Sequence, residues 1–166
     1  KTTKNSIPSF DRYISVNDIY IENEVIYKLI DDEKNKLNNI ISLPLRSESE
    51  FPQSIASADI ALITMAIGSE ELMIPGKVYY SMAVQSALIG ITKPNSELAR
   101  IIKEYECGLV VDPEDEETLK EAILLFKEDP LFLIRCKKNA YNAFLKHYTT
   151  EQNSKQYSKI LKDLIQ

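Results

Sequence analysis

The sequence predicts an α/β protein: a doubly wound parallel sheet with C-terminal helices. Three observations carry that expectation. Short β-prone runs alternate with amphipathic stretches about five times along the chain. Two of those runs, residues 59–64 and 87–91, are almost wholly apolar, as strands covered on both faces are. The last two helical stretches follow one another with no strand between them.

Each element has its own signal. Residues 1–10 are polar with one proline and read as a tail or an incomplete first segment. Residues 13–16 are β-prone, and Asn17 and Asp18 offer turn or cap chemistry. From Glu24, the apolar residues Val25, Ile26, Leu29, Ile30 and Leu37 recur at helical spacing. Asn38 and Asn39 stop that helix, and residues 40–43 form a strand ended by Pro44. A polar loop leads to a short helix over 51–58 and then to the strand at 59–64. Residues 65–74 are a long loop holding Gly68, Glu70 and Glu71. Pro75 opens a helix at a permitted first-turn position, running to about residue 84. The strand at 87–91 follows. Pro94, Asn95 and Ser96 then cap a helix over 97–105. Residues 109–111 are a strand ended by Asp112 and Pro113. Helices over 114–127, 130–147 and 150–164 complete the chain.

Length and charge exclude several classes. At 166 residues the chain reads as one domain, 1–166, able to bury a core without disulfide or metal staples. A net charge of -5, with an acidic pI, opposes a broad nucleic-acid face. There is no apolar run long enough for a transmembrane helix and no apolar segment behind Lys1 that reads as a signal peptide. Cys107 and Cys136 lie far apart and form no C-x-x-C, which suits a reduced chain. Cys107 reads as a packed small hydrophobe. The single histidine, His147, sits in a polar helical stretch, so neither a His-rich metal site nor a Ser-His-Asp triad is expected. Asp115, Glu116 and Glu117 read as acids favoured by a helix N-terminus rather than as a metal site.

Ligands of open α/β sheets bind at the carboxyl ends of strands. The most informative loop there is the one that ends at Pro75-Gly76-Lys77. A helix start presents orphan N–H groups and partial positive charge. Gly76 lets a phosphate approach the backbone, and Lys77 adds a full charge. Together they form a candidate diphosphate cradle. The competing reading is an ordinary helix start with a solvated lysine. Neither G-x-x-x-x-G-K-[ST] nor G-x-G-x-x-G occurs.

Several short motifs occur in a fixed order: Ala56-Ser57-Ala58-Asp59-Ile60-Ala61-Leu62, then Ile74-Pro75-Gly76-Lys77-Val78-Tyr79-Tyr80-Ser81-Met82-Ala83, then Ala87-Leu88-Ile89, Ser96-Glu97-Leu98 and Cys107-Gly108-Leu109-Val110-Val111-Asp112-Pro113. In this order they resemble the C-terminal lobe of retaining GT-B glycosyltransferases of the glycosyl transferase group 1 type. The nearest subgroup carries a P-S-K-x-Y-E-Y-M-A pattern and serves capsule and O-antigen synthesis. The resemblance covers roughly residues 39–164. It implies a Rossmann-like lobe that binds the nucleotide-sugar donor, with a preceding acceptor lobe that lies outside this chain.

The resemblance also implies roles. Pro75, Gly76 and Lys77 would hold the diphosphate. Tyr80 falls where the second glutamate of the family's E-x7-E motif meets the ribose, and Leu72 falls at the first. Glu70 and Glu71 lie close enough to replace it by a loop shift and to contact the donor sugar or ribose. Pro44 and Arg46 would flank the nucleobase. The sequence departs from the pattern at several points. Tyr80 and Leu72 replace both glutamates, Gly76 replaces a serine, and Gln85 and Ala87 replace the glycine and proline of an A-x-G-x-P turn. A tyrosine can donate a hydrogen bond but cannot serve as the carboxylate acceptor for ribose hydroxyls.

The expected activity is transfer of a sugar from a nucleoside diphosphate sugar to a glycan or lipid-linked acceptor in surface polysaccharide synthesis. Catalysis would be mainly electrostatic, with Lys77, Glu70 and Glu71 as the candidate catalytic groups. The donor is a substrate, so no cofactor, no metal and no nucleic-acid partner are expected. This chain alone is expected to transfer weakly or not at all. The implied location is cytoplasmic, with contact at the inner face of the membrane made through the other lobe. Two alternatives share the fold: a nucleotide-sugar epimerase, and a non-catalytic interaction module whose lost glutamates mean a lost nucleotide site.

Overall fold

Three parallel strands organise the residues that the structure, a computed structural model, describes: 47, 49–65 and 74–165. The strands expected at 13–16 and 40–43 and the helix at 24–37 lie outside them. A short helix, α1 (Phe51–Ala56), leads into β1 (Ile60–Thr64). Then come α2 (Lys77–Ala83), β2 (Ala87–Ile91), α3 (Glu97–Glu104) and β3 (Gly108–Val111). After them α4 (Glu116–Glu128), α5 (Pro130–Ala143), a π-helical turn (Phe144–Tyr148) and α6 (Thr150–Ile165) end the described chain. The sheet order is β1-β2-β3. Ile60 to Thr64 pair in register with Ala87 to Ile91, and Leu88 to Ile91 with Gly108 to Val111.

The apolar strands are apolar because both faces are covered. Leu88 and Ile63 belong to one core, packed against Val78 and Met82 of α2 and Leu98, Ile101 and Ile102 of α3. Ala87, Ile89 and Val111 face the other way, against Ala122 and Phe126 of α4 and Leu133 and Cys136 of α5. Each such aliphatic side chain, fully buried, contributes about 1.5–3 kcal/mol. Cys107 is fully buried, and burial pushes its thiol up to about 12, so it packs as a small hydrophobe. Gly108 has a steric reason. A Cβ there would stand 1.8 Å from the Leu88 carbonyl oxygen, so only glycine lets β3 start so close to β2.

Helix α5 crosses the amino edge of the sheet. Its first half packs in one core through Leu133 and Cys136, and its last turn enters the other through Ala140 and Ala143. Between them, Lys137 pairs with Asp59 just before β1 (2.5 Å). The Asn139 amide donates to the Glu106 carbonyl just before β3 (3.1 Å). The carboxyl edge has no such cover among the described residues.

Several features differ from expectation. The first helix stops at Ala56, because Ser57 and Ala58 fold back in tight turns onto Ser54 and Ile55. Pro75 is not in the first turn of α2. It lies before the N-cap Gly76, and its carbonyl starts the turn by accepting from the Val78 N–H (3.1 Å). The stretch 130–147 is not one α-helix, since it widens into the π turn after Ala143. Gln85 has φ 63, a left-handed backbone at the position where the resembled pattern carries glycine. That conformation explains the pattern's glycine, because a Cβ there is disfavoured.

Candidate functional site

The carboxyl edge is built from the ends of the three strands and the helices that leave them. A helix that returns from one parallel strand to the start of the next must begin at this edge. Thus α2, α3 and α4 all begin here. Ser96 caps α3: its buried Oγ accepts from the Ala99 N–H (3.0 Å). Asp115 caps α4 by accepting from the Thr118 N–H (2.9 Å) and hydroxyl, and these bonds hold its carboxyl below the usual carboxylate range. This is the expected role of the acid cluster. The start of α2 has no side-chain cap, because Gly76 occupies that place, and no acid lies in its first turn. Lys77 is the first residue of that helix. A cation there faces the positive end of the helix dipole, which an anion would offset.

Two more residues mark the edge. Lys93 pairs with both carboxylate oxygens of Asp112 (3.3 Å each), bridging the ends of β2 and β3. Thr92 is fully buried, and its Oγ1 has no hydrogen-bond partner among the described residues. A buried hydroxyl left unpaired costs about 1–3 kcal/mol. The loops holding both residues are apparent from sequence, but this orphan atom is not.

Tyr80 lies one turn beyond Gly76 and is 58% exposed. It is therefore no core tyrosine. Gly76 is exposed with ordinary helical angles, and an added Cβ would meet nothing nearer than the Tyr80 ring at 3.9 Å. A serine at this place, as in the resembled pattern, would fit. Pro75, Gly76, Lys77 and Tyr80 are thus brought together at one helix start. Pro44, Arg46, Glu70, Glu71 and Leu72 lie outside the described residues.

A cleft of about 640 Å³ flanks α2 on its outer side. Gly76, Tyr79, Tyr80 and Ala83 form one wall. The π turn and the first half of α6 form the other, through His147, Tyr148, Asn153 and Gln156. Tyr79 packs on Tyr148, with ring centroids 4.9 Å apart, and Tyr105 stacks on His147 at 5.3 Å. Burial, and next the Tyr105 hydroxyl, hold the Tyr148 phenol well above the ordinary tyrosine range. Burial, and next the Glu97 charge, raise Tyr79 as well. Sequence reasoning missed this cleft. Its residues come from three separate stretches of chain, and the π turn brings Tyr148 onto Tyr79.

The chain is 32% identical over 94 residues to a protein named probable glycosyltransferase WbjE, of Pseudomonas aeruginosa. The matched segment is thus similar to part of a glycosyltransferase. The match takes in 57% of this chain and 23% of that relative, so the segment spans about a quarter of the relative's length. Its fold matches sucrose-phosphate synthase from Thermosynechococcus elongatus with a TM-score of 0.67 and 18% identity, over 84% of this chain and 33% of that one. That likeness concerns the fold, and it bears out the Rossmann-like lobe of the GT-B type. No protein-family model matches the chain. In the glycosyltransferase-like segment, no helix among the described residues is long and apolar enough to cross a membrane. No cluster of His, Cys, Asp or Glu among the described residues could hold a metal ion.

Proposed function

We propose that this lobe binds a nucleoside diphosphate sugar for a retaining glycosyltransferase of surface polysaccharide synthesis. The observation that carries the reading is the 94-residue match to a probable glycosyltransferase. Pro75, Gly76 and Lys77 hold the diphosphate, and Tyr80 lies beside the ribose. Pro44 and Arg46 flank the base, and Glu70 and Glu71 reach the donor sugar. Negative charge grows on the diphosphate as the glycosidic bond breaks. The Lys77 ammonium and the helix start stabilise that charge, so their effect is largest in the transition state. The acceptor, a glycan or lipid-linked glycan, is bound by a second lobe. The enzyme works in the cytoplasm, at the inner face of the membrane through that lobe. One observation favours a second reading: Tyr80, exposed where a carboxylate is expected, suits an interaction module that has lost the nucleotide.

A thermal-shift titration with UDP, GDP and ADP separates the two. Ligand at about 100 times its dissociation constant stabilises by about 2.7 kcal/mol, or roughly 5–10 °C for a domain of this size. A shift with one nucleotide, lost in Lys77→Ala, is the expected result. No shift with any of the three, in this chain and in the protein that includes the acceptor lobe, selects the module.

A further inference from the structure

We propose that the part of this cleft between Tyr79 and α6 is a binding subsite for a neutral saccharide, beyond the Gly76 and Tyr80 end that borders the diphosphate and ribose. This deepens the donor-lobe reading by adding a subsite to it, and rests on that reading only for the link to sugar chemistry. The cleft as a whole holds about 640 Å³, which leaves room for a monosaccharide beside the Gly76 and Tyr80 end, since small-molecule sites span about 300–1,000 Å³.

The lining decides the ligand class. In a chain that is 27% charged, no Asp, Glu, Lys or Arg lines this cleft among the described residues. A phosphate or carboxylate ligand would find no charged partner. Arg100, whose charge acts on Tyr148, is already paired with Glu97 and Glu104 along α3. This part of the cleft instead offers aromatic side chains at Tyr79, Tyr105 and Tyr148. Sugars present flat C–H faces to such rings. It also offers the exposed carboxamides of Asn153 and Gln156, which make no side-chain hydrogen bond among the described residues. A carboxamide both donates and accepts, as a row of sugar hydroxyls requires. The ring stacking fixes the aromatic wall before a ligand arrives, which lowers the ordering cost of binding.

The test is saturation-transfer NMR on the 166-residue chain, with methyl α-glucoside, methyl α-rhamnoside, N-acetylglucosamine and maltotriose as probes. Glucose 6-phosphate is the charged control, and UDP the competitor. The expected result is transfer to at least one neutral probe, at least tenfold weaker in the Asn153→Ala, Gln156→Ala double variant, weak for glucose 6-phosphate and undiminished by UDP. Both substituted residues are exposed, and an unchanged melting temperature checks the fold. The proposal is overturned if no probe receives transfer, if the double variant binds equally well, or if UDP displaces the sugar. Sugar binding without any nucleotide shift would sink the donor reading and leave this one standing. A nucleotide shift without sugar binding would do the reverse.

Discussion

The two edges of the sheet are finished in opposite ways. At the amino edge, α5 lies across the strand starts and its polar side chains take up the groups it covers. Lys137 meets Asp59 and Asn139 meets the Glu106 carbonyl; at the same edge Ser86, just before β2, donates from its Oγ to the Ala58 carbonyl (3.0 Å). At the carboxyl edge, two helix starts are capped by their own side chains, and a third is left to a glycine and a lysine. One buried hydroxyl there, on Thr92, is unpaired among the described residues. The amino edge is optimised for stability. Among the described residues the carboxyl edge is less completely hydrogen-bonded.

The largest expected effect breaks the amino edge. Gly108→Ala puts a Cβ on the Leu88 carbonyl, a backbone atom that cannot move aside. Urea denaturation should show a loss of about 3 kcal/mol or more. If the loss stays below about 1 kcal/mol, β3 does not approach β2 as closely as described.

The next effect contrasts two helix starts at the other edge. Ser96→Ala removes the cap of α3 and should cost about 1 kcal/mol. Gly76→Ser, at the start of α2, should change stability by less than about 0.5 kcal/mol, because the site has room and helical angles. Equal losses in the two variants would erase the contrast between capped and uncapped starts.

Thr92→Val should stabilise the fold by up to about 1 kcal/mol, because it replaces an unpaired buried hydroxyl with a methyl group of the same shape. A destabilised variant would mean that the hydroxyl has a partner.

The smallest effect appears at high pH. Tyr148 is held neutral in the fold by burial and then by the Tyr105 hydroxyl, which it meets at 3.5 Å. In the unfolded chain it ionises near its usual pH of about 10. Its contribution is therefore complete below that pH and is lost as pH rises above it. Wild type should lose stability more steeply than Tyr148→Phe between about pH 10 and 11, read as the urea midpoint against pH. Parallel slopes would show that Tyr148 ionises as freely in the fold as outside it.

Much of this frame is legible in sequence. β1 and β2 announce themselves as unbroken apolar runs because helices cover both of their faces. Ser96 and Asp115 announce helix starts because capping is a local bond, made within three residues. Of the candidate site, Pro75-Gly76-Lys77 and Tyr80 are legible as one cluster because they share one helix start. The wall that faces Tyr79 is not. His147 and Tyr148 look like residues of one more polar helix, and only the wider π turn brings them against α2. Gln85 reads as a mere departure from a pattern until its φ is known.

By itself the sequence determined the alternation of strands and helices, the two-faced burial of the sheet and the capped helix starts. These depend on periodicity and on bonds between near neighbours. Only the tertiary structure decided that α5 closes the amino edge, that the Thr92 hydroxyl has no partner among the described residues, and that an aromatic cleft opens beside α2. Those features depend on which distant segments meet, and no local pattern encodes that.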